Sequence, residues 1–130
     1  MQTRYGFGKQ VALGFDAALA KVGEELAKEG FGILTEIDVA ATMKKKLDRD
    51  MPAYRILGAC NPAFAHQAIT AEPSIGLLLP CNVVVRQDAA GGVHVEFLDP
   101  QPMFDLVGKP EVAPVAAEVR ARLQRVMAAL

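Results

Sequence analysis

Apolar and polar residues alternate along several stretches of this chain and recur at helical spacing along others. The clearest alternation covers residues 31–39, and side chains that alternate in this way point to opposite faces of a β-strand. One face of this strand is formed by Phe31, Ile33, Thr35, Ile37 and Val39, and the other by Leu34, Glu36 and Asp38. Such a pattern predicts an antiparallel strand with one buried side.

Helical spacing predicts amphipathic helices near both ends of the chain. In the first helix, apolar residues recur from Phe15 to Leu26, and the opposite side carries Lys21, Glu24, Glu25 and Lys28. Gly30 is expected to end this helix, because glycine adopts the left-handed conformation without a steric penalty. The last helix covers about residues 111–130. Its stripe predicts either core packing or a dimer surface and is formed by Val112, Val115, Val119, Leu123, Val126 and Leu130.

Asparagine and aspartate at helix starts indicate two further helices. Asp38 is expected to cap a helix that runs to about residue 47. The residues of this helix that face inward are then Val39, Met43 and Leu47. Asn61 precedes Pro62, and an asparagine N-cap followed by proline is a strong helix start. This helix is expected to end near residue 72, before the next proline.

The remaining segments complete an alternation of strands and helices. Strands are expected over residues 2–9, 54–60, 83–85 and 93–98, and the glycines near residue 91 join the last two into a hairpin. Asp99 and Pro100 begin a short helix that ends at Gly108. Helices packed on an antiparallel or mixed sheet fit this order better than a doubly wound fold. The prediction is therefore a single compact α+β domain over residues 1–130.

Composition limits the compartment and the partners of this domain. Its 130 residues, 52% apolar and 22% charged, fit one domain that folds without disulfides or metal. The net charge of −1 lacks the basic surface of a nucleic-acid-binding protein. No apolar run is long enough to cross a membrane, and the first residues lack the apolar core of a secretory signal. Because two cysteines are too few for a secreted disulfide scaffold, a cytoplasmic protein is expected. The alanine- and valine-rich composition suggests a bacterial origin.

Cys60 is the first candidate for chemistry. It ends the third predicted strand, one residue before the helix start at Asn61, where the positive end of the helix dipole favours a thiolate. One interpretation is a reactive thiol, and another is a ligand for a soft metal ion. A third is a small buried hydrophobic residue, since free cysteine is among the most buried residue types.

The pair Cys-Asn recurs 21 residues later as Cys81-Asn82. Cys81 is in phase with Val83 and Val85, and it is expected to face the same side of its strand. Neither Cys60 nor Cys81 belongs to a C-x-x-C motif, which would be specific for redox or zinc chemistry. Whether the two cysteines meet in space stays open.

His66 and two acids complete the set of candidate residues. His66 projects away from the apolar face of its helix, so it is exposed, at a subunit interface or lining a site built from elsewhere. Together with Cys60 and Cys81, His66 is a candidate metal ligand. A zinc site needs three or four convergent ligands, and an acid such as Glu36 could be the fourth. Glu36 and Asp38 share a strand face, which suits an acid/base pair, a hard-metal site or a solvated surface.

Five segments form a characteristic combination: GFGILTEIDV from residue 30, YRILGACNP from residue 54, Ala65-His66, IGLLLPCNVVV from residue 75 and Asp99-Pro100. Together they resemble the bacterial and archaeal domain-of-unknown-function 302 family. The resemblance covers about residues 15–107 and implies a small α+β fold that forms a homodimer. It implies no established activity, cofactor or catalytic residue. The motif positions are Glu36, Asp38, Cys60, Asn61, Pro62, His66, Pro80, Cys81 and Asn82.

The residues leave three hypotheses of function open. The first is a homodimeric binding module for a small molecule or a soft metal ion near Cys60 and Cys81. Its ligand-binding residues would include Glu36, Asn61, His66 and Asn82. The second is a thiol-dependent enzyme with Cys60 as nucleophile or as redox partner of Cys81. The third is a purely structural or interaction domain.

Overall fold

A computed structural model describes residues 2–130 of the chain, in which five antiparallel strands form one sheet. The strands are β1 Gly6–Val11, β2 Gly32–Asp38, β3 Tyr54–Cys60, β4 Cys81–Gln87 and β5 Val93–Leu98. Their spatial order is β1-β5-β4-β3-β2, so β1 and β2 are the edge strands. The predicted α+β class is confirmed, and the sheet is antiparallel throughout.

Five α-helices and two short 3₁₀ helices connect and follow these strands. The α-helices are α1 Phe15–Lys28, α2 Val39–Leu47, α3 Pro62–Ala71, α4 Pro100–Val107 and α5 Ala113–Ala128. The 3₁₀ helices cover Pro73–Leu78 and Pro110–Val112. The first of these was not expected from the sequence. No helix among residues 2–130 is long and apolar enough to cross a membrane.

One face of the sheet forms the core together with α1 and α5. A row of side chains crosses four strands at one level, from Phe7 on β1 through Phe97 and Val83 to Leu57 on β3. The rings of Phe7 and Phe97 stack with centroids 5.8 Å apart. Helices cover this row with buried apolar residues, namely Ala18, Val22 and Leu26 of α1 and Val115, Ala116, Val119, Leu123 and Val126 of α5. The apolar stripe of the last helix therefore serves core packing.

Strand β2 departs from its predicted buried face. Ile33 lies opposite Ala59 and Thr35 lies opposite Gly58, so Leu34 is an extra residue in a β-bulge. The bulge reverses the alternation, which places Ile33 on the same face as Glu36 and Asp38. Six of the seven residues of β2 are exposed, because it is an edge strand. The expectation that Ile33, Thr35 and Ile37 share a buried face is therefore wrong.

Two predictions about helix faces also need correction. No residue of α2 is buried, and the side chains expected to face inward include Leu47, which is 64% exposed. This helix follows the edge strand directly and contacts mainly β3, so it has little core to cover. In α1, Glu25 was expected in solvent but is buried between Lys21 and Lys28, whose ammonium groups lie 3.1 and 2.8 Å from its carboxylate.

Several boundaries follow their predicted signals. Gly30 adopts φ +86° after α1, and the backbone N–H of Phe31 donates to the carbonyl of Leu26, as in a Schellman ending. Asp38 and Asp99 accept hydrogen bonds from backbone N–H groups at the starts of α2 and α4. The first strand begins at Gly6 rather than near residue 2, although Gln2 forms an isolated bridge with Phe7.

Candidate functional site

Cys60 and Cys81 lie at the same end of the sheet. Cys60 is the last residue of β3 and Cys81 is the first residue of β4, and the two strands are antiparallel neighbours. Cys81 lies opposite Ala59, one position from Cys60. The two Cys-Asn segments therefore meet in space although 21 residues separate them along the chain.

A cavity of about 280 Å³ lies between this end of the sheet and the helices α3, α4 and α5. Cys60, Asn61 and Cys81 form part of its wall. The rest of the wall is apolar and consists of Phe31, Leu34, Ala59, Phe64, Ala65, Ala68, Ile69, Leu79, Pro80, Phe104, Val115 and Val119. Leu34 and Ile69 are exposed to solvent, so the cavity reaches the surface of the molecule beside them.

The two thiols differ in their surroundings. Cys60 is half-buried, whereas Cys81 is buried on the core face of the sheet, in phase with Val83 and Val85 as predicted. Burial raises the pKa of the Cys81 thiol to about 11, and the neighbouring Cys60 adds to the effect. Cys81 is therefore protonated and uncharged at neutral pH, which makes it a poor nucleophile and a poor metal ligand in that form.

Asn61 holds the start of α3 against the end of α1. It occupies the N-cap position, but its side chain makes no capping hydrogen bond, so the predicted capping role is wrong. Its Nδ2 instead donates to the backbone carbonyl of Glu29 at 3.3 Å. Glu29 is the C-cap residue of α1, and helix geometry leaves the carbonyls at this end without a partner in the helix. The competing acceptor is long-range in sequence, which is why the local signal did not reveal it.

Arg122 of α5 joins the same junction. Its Nη1 donates to the carbonyl of Glu29 at 3.0 Å, and its Nε donates to the carboxylate of Glu118 at 2.9 Å. The guanidinium lies 5.0 Å from the centroid of the Phe64 ring, within the range of a cation–π contact. Because Phe64 and Asn61 line the cavity, α1, α3 and α5 together fix this part of its wall.

Gly58 allows close packing beside Pro80, at the sheet end of the cavity. A Cβ on Gly58 would collide with the hydroxyl of Thr35 and would lie 2.9 Å from Cγ of Pro80. Only glycine leaves room for both neighbours at this position. The position of Pro80 in the cavity wall thus depends on glycine at residue 58.

The other sequence candidates lie away from the cavity wall. His66 is exposed on α3, as its helical position predicts, and Asn82 is exposed on the opposite side of β4 from Cys81. Glu36 pairs with Arg55 at 2.7 Å, and the carboxylate of Asp38 lies 3.3 Å from the same guanidinium. Within residues 2–130, no three His, Cys, Asp or Glu side chains are placed to hold a metal ion.

Most of the wall was not identified from the sequence. Phe64, Leu79, Phe104 and Val119 are apolar residues at positions that also suit a hydrophobic core. Periodicity shows that such side chains point inward but not that a void remains between them. The only sequence signal for the location was the repeated Cys-Asn pair.

The fold and the cavity define a class of small α+β proteins with one antiparallel sheet, helices packed on it and an apolar pocket at one end. The chain belongs to the family described as domain of unknown function DUF302, whose model matches residues 7–130. Its structure is similar to the crystal structure of an uncharacterized conserved protein DUF302 from Bacillus stearothermophilus. The TM-score is 0.90, with 24% sequence identity over 98% of each chain, and this likeness concerns the fold. No curated protein matches the chain.

Proposed function

We propose that this protein binds a small organic molecule in the cavity beside Cys60 and Cys81. The observation that carries the proposal is an apolar cavity of about 280 Å³ that reaches the surface. Pockets for small ligands have volumes of roughly 300–1,000 Å³ and are mostly apolar with a few polar groups. An engineered cavity of about 150 Å³ already binds benzene, so this one accommodates a molecule of one or two rings.

A small molecule fits the site better than a soft metal ion. The candidate ligands were Cys60, His66 and Cys81, but His66 does not line the cavity. The thiol of Cys81, whose pKa burial raises to about 11, resists the deprotonation that metal binding requires. The same burial weighs against redox chemistry between the two cysteines, because the thiolate is the reactive form.

A binding role also accounts for the cavity better than a purely structural role. Apolar side chains normally gain stability by being removed from water. Here Phe31, Phe64 and Phe104 line a space that is open to the surface and that they do not fill. A domain needed only for stability or assembly gains nothing from apolar surface that is left accessible to water in this way.

The test is a screen of small aromatic fragments, neutral and charged, monitored by the amide NMR shifts of the protein. We expect fragments of one or two rings to shift the amides of cavity residues such as Ala65 and Cys81. Ala65→Leu, which places extra atoms in the cavity, should abolish these shifts. Ala63→Leu is the control, because Ala63 lies on the same helix and is exposed. The proposal is wrong if no fragment shifts the cavity amides of the wild-type protein.

We propose further that the protein is a homodimer and that it works in the bacterial cytoplasm. Support for the dimer is the free edge of β2, where Ile33, Leu34 and Ile37 are 41%, 68% and 48% exposed. An edge strand with apolar side chains is a ready template for pairing with another chain. Support for the compartment is that both cysteines are free thiols, which fit a reducing environment. Bacterial origin rests on the composition.

A further inference from the structure

Charge is absent from the wall of the cavity. Among its fifteen described lining residues, twelve are apolar, and the others are Asn61, Cys60 and Cys81. None of them is an acid, a lysine, an arginine or a histidine. An ionised group that left water for this cavity would lose its hydration and find no counterion, which is strongly unfavourable. The cavity thus selects against charged ligands.

Asn61 supplies the one strong side-chain hydrogen-bonding group of the wall. It is only 9% exposed, and its orientation is fixed because a carbonyl oxygen such as that of Glu29 accepts hydrogen bonds only from a donor. Nδ2 must therefore face Glu29, and Oδ1 is the polar atom of the amide that this hydrogen bond does not use. No hydrogen bond to Oδ1 is formed within residues 2–130, and because no fully buried side-chain oxygen or nitrogen there lacks a partner, Oδ1 is accessible to solvent. Because Asn61 is part of the cavity wall, Oδ1 is the acceptor that this side chain can offer to a ligand.

The two thiols add little hydrogen-bonding capacity and no charge to the wall. Sulfur is a weak hydrogen-bond partner, so neither Cys60 nor Cys81 competes with an amide oxygen. Burial keeps Cys81 protonated and uncharged at neutral pH, so it adds no negative charge to the wall. The polar contribution of the wall is therefore concentrated at Asn61.

Building on the proposed function, we infer that the ligand is an uncharged, mainly apolar molecule with one hydrogen-bond donor, such as a hydroxyl or an aromatic N–H, that binds Oδ1 of Asn61. A donor on the ligand would engage the one polar side-chain atom of Asn61 that no group within residues 2–130 engages. A ligand without a donor would cover that oxygen and leave it without a hydrogen bond, which costs affinity.

Three ligands of one ring system test this inference on the wild-type protein. Indole is neutral and has an N–H donor, 1-methylindole is neutral without a donor, and indole-3-carboxylate is charged. Their dissociation constants are measured from the amide shifts of cavity residues. We expect indole to bind at least about fivefold more tightly than 1-methylindole, because the unsatisfied acceptor is penalised in the methylated complex. The carboxylate should bind more weakly than both.

Two variants link the preference to its proposed cause. Asn61→Leu removes Oδ1 and should bring the affinities of indole and 1-methylindole together, whereas Ala63→Leu should leave their ratio unchanged. Equal affinities of indole and 1-methylindole for the wild type would overturn the role of Asn61, whether or not the leucine variant folds. Binding of the carboxylate that Ala65→Leu abolishes would overturn the neutral ligand and leave the binding cavity standing. If none of the three binds, the inference is wrong, and the fragment screen decides the function separately.

Discussion

Two glycines in the edge strands differ in the space around them: Gly8 is crowded and Gly32 is not. A Cβ on Gly8 of β1 would collide with the carbonyl of Val95 and lie 2.8 Å from Cα of Glu96, so the close approach of β1 and β5 requires glycine. Gly8→Ala should lower the free energy of unfolding by about 1–3 kcal/mol, the usual cost of an overpacked site. Urea denaturation monitored by circular dichroism measures the change.

Gly32 of β2 is the matched control. It lies on the other edge strand, and apart from its two chain neighbours no described residue has an atom within 4 Å of its Cβ position. Gly32→Ala should leave stability unchanged or raise it by up to about 1 kcal/mol, because alanine reduces the entropy of the unfolded chain. Equal losses from Gly8→Ala and Gly32→Ala would contradict the close-approach explanation.

Glu25 couples stability to acid pH. Hydrogen bonds from Lys28 and Lys21 hold the pKa of its carboxyl below its ordinary value of 4.5. A carboxyl whose pKa is lowered by folding stabilises the native state above its unfolded pKa, and this contribution is lost as pH falls through the folded pKa. Glu25→Gln should therefore lower the Tm at pH 7, and the difference from wild type should shrink as the pH falls below 4.5.

Thermal unfolding of both proteins between pH 7 and strongly acid pH tests this coupling. Glu24→Gln is the control, because Glu24 is the exposed neighbour of Glu25 on the same helix. It should change the Tm little at any pH. A difference between Glu25→Gln and wild type that stays constant on acidification would show that the ion pairs are not its cause.

Residue-level prediction from the sequence succeeded where the partner is local. Gly30 ends its helix, and Asp38 and Asp99 cap theirs, because each acts on backbone within a few positions. It failed for Glu25 and Asn61. The lysine partners of Glu25 are local, but its burial depends on how α1 packs against the rest of the protein. Asn61 donates to a carbonyl 32 residues earlier. The capping preference of asparagine describes the isolated helix start and not this tertiary competitor.

At the scale of elements, Arg122 connects α1, α3 and α5. It donates to the carbonyl of Glu29 and lies over Phe64, while part of its side chain is shielded from solvent. Arg122→Met keeps the apolar stem but removes the hydrogen bonds, and we expect a loss of about 1–3 kcal/mol in the free energy of unfolding. Urea denaturation measures this loss.

Arg125 on the same helix provides the comparison. It pairs with the carboxylate of Glu29 at 2.8 Å, but its side chain is 55% exposed. Exposed ion pairs contribute little, so Arg125→Met should cost less than about 1 kcal/mol. If the two substitutions have the same effect, Arg122 is an ordinary surface residue and not the connection between the three helices.

The order and type of the helices and strands were largely predictable from the sequence, whereas the burial of β2 and α2 was not. The order of five strands and five helices follows from changes of period in the sequence. For β2 and α2, the same periodicity predicted burial that does not occur, because apolar side chains at an edge look the same in sequence as those of a central strand. The bulge at Leu34 is a further feature that alternation cannot reveal.

At the scale of the whole molecule, the cavity joins parts of the chain that are far apart in sequence. Its wall draws on residues from Phe31 to Val119. The repeated Cys-Asn pair lies at the end of the sheet where the cavity is found, because a strand end and the next strand start are neighbours in an antiparallel sheet. The volume and neutrality of the cavity depend on packing between helices, which one sequence alone does not specify. The two Cys-Asn segments thus indicated where the cavity lies but not which side chains line it.

The proposed homodimer is tested at the free edge of β2. Two copies related by a two-fold axis would pair β2 with β2 in an antiparallel manner and extend the sheet, since a two-fold interface uses the same surface on both subunits. Ile37 lies on this strand and is 48% exposed. We expect the wild type to sediment as a dimer at micromolar concentration and Ile37→Lys to sediment as a monomer, because charged lysine on an edge strand blocks such pairing.

Leu47→Lys separates this interface from general loss of apolar surface. Leu47 is more exposed than Ile37, at 64%, but it lies on α2 and not on the strand edge. The control should remain a dimer and unfold at nearly the wild-type temperature, because Leu47 is not in the core. Ile37→Lys should lose only the stabilisation that dimerisation provides. A monomeric wild type would refute the dimer. A dimer that survives Ile37→Lys would move the interface elsewhere. If Ile37→Lys is a monomer while Leu47→Lys remains a dimer, the exposed residues of β2 form the dimer interface.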